Sequence, residues 1–147
     1  MSKTLWFDMD GTIADLYGVE GWLPMLIAGD PTPYKQARPL VNMNQLAHKL
    51  NKLQRAGYKL GIISWLSKSS TPEYDEAVTA AKLWWLKKHL HSVSWDTINI
   101  VSYGINKWSV CGEGVLFDDE APNREAWQDE AYTPDNIFNI LSSMERR

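Results

Sequence analysis

Leu5-Trp6-Phe7-Asp8-Met9-Asp10-Gly11-Thr12 is a short apolar run that stops abruptly in Asp-x-Asp-Gly-Thr. Such a run reads as a buried strand delivering two carboxylates to its own carboxyl end, with Gly11 permitting the sharp exit. Open α/β sheets keep their sites at that end of their strands. Two acids one residue apart beside a turn suit either a metal ion or a reaction that needs one acid ionised and the other protonated. The spacing alone does not choose between them. A calcium loop is the bland competitor, since Asp-x-Asp also opens an EF-hand, but its sixth and twelfth positions are here Ile13 and Val19 instead of glycine and glutamate.

Outward from this turn, strand and helix patterns alternate. Residues 14–39 mix turn formers with aromatic and apolar residues, among them Gly18, Gly21, Trp22, Pro24, Gly29, Pro31, Pro33 and Tyr34. They read as one short helix and a long loop, a lid with glycine hinges over the site. Met43, Leu46, Ala47, Leu50 and Leu53 form a helical stripe over 40–56, with Gly57 as a cap. A second buried strand over 58–64 ends in Ser64, and Thr71-Pro72-Glu73 opens a helix running to about Leu90, whose packing stripe is Tyr74, Ala77, Ala81 and Trp84. A third strand spans 97–101, and a turn at Gly104 leads to Asn106-Lys107-Trp108. A fourth, 114–117, ends in Asp118-Asp119-Glu120, and Thr133-Pro134 starts a last helix bearing Ile137, Ile140, Leu141 and Met144. The alternation predicts an α/β fold, a Rossmann-like doubly wound parallel sheet, as one domain over 1–147 with 14–39 as a small cap or lid after the first strand.

Composition narrows the function classes. A length of 147 residues lets one core remove roughly 70% of the unfolded surface from water, so no second domain is needed. Hydrophobic residues at 44% and charged residues at 22% are globular proportions, no window reaches membrane-span length, and the start carries no secretory pattern. With Cys111 as the single cysteine, no disulfide forms within the chain, and a cytoplasmic setting is expected. The net charge of −3 argues against a long nucleic acid and leaves small phosphorylated molecules open as partners. The oligomeric state is left open.

Four strand ends thus carry, in order, Asp8 with Asp10, Ser64, Lys107, and Asp118 with Asp119. This series resembles the haloacid dehalogenase superfamily of phosphohydrolases: Asp8-Met9-Asp10-Gly11-Thr12 matches its first motif, Ser64 its second, Lys107 its third and Leu116-Phe117-Asp118-Asp119 its fourth. Within it, Ala81-Lys82-Leu83-Trp84-Trp85-Leu86-Lys87-Lys88-His89, Asn106-Lys107 and Asp118-Asp119-Glu120-Ala121-Pro122-Asn123 are similar to the 5'(3')-deoxyribonucleotidase type.

The resemblance implies a phosphatase working through an aspartyl-phosphate. Asp8 would be the nucleophile, and Asp10 would protonate the leaving alcohol and then accept a proton from water. Mg²⁺ would be held by Asp8, Asp118 and the backbone carbonyl of Asp10, with Asp119 as an outer ligand or orienter. Ser64 and Lys107 would hold phosphoryl oxygens. A nucleoside monophosphate is the expected substrate; a sugar phosphate, a polynucleotide end, transfer to an acceptor other than water, and phosphate binding without turnover are the alternatives. Lys68 and Lys82 compete with Lys107, and the ordinary reading of any of them is a surface lysine. Trp22, Tyr34 and Trp65 flank the expected mouth, either touching substrate or packing the lid. His48, His89 and His91 read as structural or surface residues, and Cys111 as a small buried one.

Overall fold

Odd and even residues of a strand face opposite ways, and Thr4–Phe7 and Val115–Phe117 are buried on both faces. A computed structural model describes residues 3–147; Met1 and Ser2, part of the stretch on which the expectation about a secretory pattern rests, lie outside the described residues. Among them, the main strands are β1 (Thr4–Phe7), β4 (Lys59–Trp65), β5 (Thr97–Val101), β6 (Val115–Phe117) and β7 (Ala131–Tyr132). These five pair in the order β5-β4-β1-β6-β7, every pair parallel. The expected α/β doubly wound sheet is the observed one. β1 lies at its centre, the chain proceeds outward through β4 and β5 and then returns to the other side of β1, so the topological switch point falls between β1 and β6.

On one face Leu5, Phe7, Leu60, Ile62, Val115 and Phe117 are buried under α3 (Met43–Arg55), the end of α4 (Pro72–His89) and α7 (Ile137–Glu145). On the other, Trp6, Ile63, Leu116 and Trp127 form a smaller cluster with residues of α5 (Lys107–Cys111). Gly61 is required where the Trp6 ring crosses it, because a β-carbon there would collide with the indole.

Two expectations are corrected. The first is the segment 14–39, which contains two helices, α1 (Trp22–Ile27) and α2 (Thr32–Gln36), and a small antiparallel pair, β2 (Ala14–Asp15) with β3 (Arg38–Pro39), instead of one helix and a loop. The second is the stripe of α4, which runs Tyr74, Val78, Ala81, Lys82, Trp85 and Leu86, so Trp85 is buried and Trp84 is 42% exposed. The irregular or helical turn expected from 121 to 123 is the start of α6 (Ala121–Ala126), which leads into β7, an edge strand that was not expected and is too short to carry a period. No helix among the described residues is long and apolar enough to cross a membrane.

Candidate active site

The carboxyl ends of β1 and β6 bring Asp8 and Asp118 together, and Lys107, the first residue of α5, reaches between them. Asn106 sets this position by capping α5 through its side chain to the Ser109 amide. The Lys107 ammonium donates to Asp8 Oδ1 at 3.0 Å and to Asp118 Oδ2 at 2.7 Å. Burial pushes against its charge, but the two carboxylates prevail and raise its pKa. The second oxygen of Asp8 accepts from the Thr12 hydroxyl at 2.9 Å, and Thr12 in turn accepts from the Asp119 amide at 3.1 Å. Gly11, at φ 82°, makes the turn possible, and a β-carbon there would also run into the Asp119 carboxylate. Asp118 is further held by the Glu120 amide and the Asn123 side chain.

Asp8, Asp118 and Asp119 each offer an oxygen within 4.8 Å of the others. Burial, then the charge of Asp8, raises the pKa of Asp118, and the same two causes push Asp119 up to about 7. Crowded carboxyls of this kind, hard oxygen donors with more negative charge than Lys107 offsets, fit a divalent cation of the Mg²⁺ type. The Asp10 carboxylate stands apart from this cluster and turns to Lys82. Asp119, expected behind the ion, stands in the cluster itself.

Of the three lysines weighed in the sequence, Lys107 and Lys82 are both buried in the site. Lys82 is 1% exposed and donates to Asp10 Oδ2 at 2.9 Å, Ser64 Oγ at 2.6 Å and the Trp65 carbonyl at 2.7 Å. Ser64, at the end of β4, is fully buried. Lys68 is exposed on the loop beyond and lines the cavity mouth. The sequence reading weighed Lys82 only as a rival to Lys107 and gave it no role of its own, and it gave no part to Thr12 or Asn123. The signal for Lys82 was a lysine seven residues beyond the capped first turn, adjacent to Ala81 and i+4 from Val78, within the buried stripe.

Above the acids lies a cavity of about 300 Å³, walled by Leu16, Tyr17, Trp22, Leu26 and Tyr34 from the segment 14–39 and by Trp65, Leu66 and Tyr103 opposite. Trp22, Tyr34 and Trp65 therefore all line it. Trp65 packs against Tyr103 at 5.0 Å and donates from its indole to the Ile105 carbonyl at 2.9 Å. Burial and the nearby Asp10 raise the phenol pKa values of Tyr17 and Tyr34, keeping both neutral. His89 stacks on Trp85 away from the strand ends, and burial pushes its pKa down. Cys111 is half-buried beneath the second core cluster, with its thiol pushed up to about 12 by burial.

The fold is that of a known phosphatase. The crystal structure of D,D-heptose 1,7-bisphosphate phosphatase from Burkholderia thailandensis superposes with a TM-score of 0.61 and 12% identity, over 99% of this chain and 100% of that one. No protein-family model matches the sequence, and no curated protein does. At this identity the likeness is one of fold, and the chemistry must be read from the side chains above.

Proposed function

We propose that the chain is a divalent-metal-dependent phosphomonoesterase working through a phosphoaspartate on Asp8. The observation that carries this is Lys107 lying between Asp8 and Asp118 at a topological switch point, with Asp10 two residues on. Asp8 attacks phosphorus in line. Its carboxylate is fixed by Lys107 on one oxygen and Thr12 on the other, so little orientation remains to be lost on reaching the transition state. The third N–H of Lys107 and the Ser64 hydroxyl proton are left for phosphoryl oxygens. Asp10 gives its proton to the leaving alcohol and then takes one from the water that opens the phosphoaspartate. Mg²⁺, held by Asp8, Asp118 and the Asp10 carbonyl with Asp119 beside them, would supply neutralisation of the phosphoryl charge.

A sugar phosphate is the first reading of the substrate, supported by the sugar bisphosphate named for the structural neighbour. A nucleoside monophosphate is the second, favoured by the aromatic walls Trp22, Tyr34, Trp65 and Tyr103, which suit a planar base as well as the C–H face of a sugar. Phosphate release from a panel of both classes, with Mg²⁺ and with EDTA, tests the proposal. Metal-dependent turnover of at least one member is expected; inactivity across the panel with metal present overturns it.

A further inference from the structure

We propose that Lys82 is a positioning residue for this reaction, a second buried ammonium that fixes Asp10 and Ser64 without touching the substrate; the inference rests on the phosphomonoesterase reading. An ammonium has three protons to give. Lys82 spends all of them inside the protein, on Asp10 Oδ2, Ser64 Oγ and the Trp65 carbonyl, and the Tyr34 ring covers it at 5.1 Å. Nothing remains for a phosphoryl oxygen, in contrast to Lys107, which has two acceptors and one proton over.

The consequences fall on its partners. With Oδ2 of Asp10 engaged, Oδ1 is the oxygen left to exchange a proton with the leaving group. With a lone pair of Ser64 occupied, its hydroxyl proton is directed away from Lys82 and stays available as a donor. Lys82 rises from α4, Ser64 is the next-to-last residue of β4 and Asp10 follows β1, so one side chain ties three elements into a single register. A lysine so buried, with an acid, a hydroxyl and a carbonyl converging on it, is costly to keep unless those contacts matter. Support of this kind around a site is worth about 10- to 100-fold in activity.

Steady-state kinetics on the best substrate of the panel, with Mg²⁺, compare wild type, Lys82→Met, Ser64→Ala and the double variant. Lys82→Met should lose about 10- to 100-fold in kcat with KM within about threefold. Its effect should shrink in the Ser64→Ala background, because part of it passes through Ser64. A loss residing in KM would make Lys82 a substrate ligand and overturn the proposal, as would unchanged kcat or strict additivity with Ser64→Ala. Thermal melting checks the fold. Should Lys82→Met not fold, Lys82→Gln, an uncharged donor, is read by the same kcat and KM criteria; failure of both to fold assigns Lys82 to stability alone and overturns the positioning role. An inactive wild type removes the phosphatase reading and this one with it, whereas an active wild type with unaffected variants removes only this one.

Discussion

At the floor of the cavity Asp8, Thr12, Ser64, Lys82, Lys107 and Asp118 are all buried and joined by charged contacts of 2.6 to 3.0 Å, while in its roof α1 buries no residue and Leu23 and Ile27 are 50% and 71% exposed. The floor is tightly held: the Lys107 ammonium and Asp118 Oδ2 each have two polar partners and the Lys82 ammonium has three. The roof is attached through a small separate cluster, Leu16 and Tyr34 against Tyr74, Val78 and Ala81 of α4, outside the main core. Phosphoryl transfer needs its groups fixed to a fraction of an ångström, and only the floor offers that. Substrates differ in their leaving groups, and a weakly anchored apolar roof can adjust to them. Changes to the floor should therefore appear in kcat, and changes to the roof in KM.

The largest effect tests the floor. Asp8→Asn keeps an acceptor for Lys107 and turns its N–H₂ to the Thr12 hydroxyl, which can accept as well as donate, so its melting temperature should stay within about 4 °C of wild type, while kcat falls by roughly 10⁴-fold or more. Retained turnover would remove Asp8 as nucleophile and end the contrast. Lys107→Met should come next, with kcat reduced about 10³-fold and stability lowered by about 3 kcal/mol, since Asp8 and Asp118 are left facing each other without their cation. Denaturant titration measures it. Mg²⁺ should recover more stability in this variant than in wild type, because metal then carries the whole neutralisation; equal recovery in both would separate Lys107 from the metal cluster.

The floor was legible in the sequence to an unusual degree and the roof was not, for the same physical reason. β1, β4, β5 and β6 are short apolar runs bounded by turn residues, so their ends, and with them Asp8, Ser64 and Asp118, could be located within a residue. Residues 14–39 carry prolines, glycines and aromatics without a period, and α1 and α2 are held by contacts with α4 that no local pattern announces. On α4 the run Leu83-Trp84-Trp85-Leu86 is apolar on every side, so its phase was ambiguous. A step of four instead of three after Tyr74 buries Val78 and Trp85, leaving Trp84 outside between Lys35 and Lys88, at 5.3 and 5.0 Å from its ring. The same slip left Lys82 as no more than a rival to Lys107, since only the correct phase puts it in the buried stripe.

Smaller effects belong to the roof. Trp22→Ala and Trp65→Ala each remove an aromatic wall of the cavity, and each should raise KM about tenfold with kcat within about threefold, the pattern of binding shared by ground and transition states. A fall in kcat without a KM change would mean that the roof takes part in the chemistry. The smallest expected effect is that of Ile27→Glu. Its side chain is 71% exposed, so the substitution removes almost no buried surface and stability should move by less than about 0.5 kcal/mol in denaturant titration. It does, however, add a negative charge at a rim residue of a cavity whose floor is already acidic and whose substrate is an anion. KM should therefore rise by about two- to threefold at low salt and return towards wild type as ionic strength is raised, since such a charge acts over roughly a Debye length. A KM rise that salt does not reverse would instead mean that Ile27 packs on the substrate, and the roof would then be more closely fitted to its ligand than its exposure in the free protein implies.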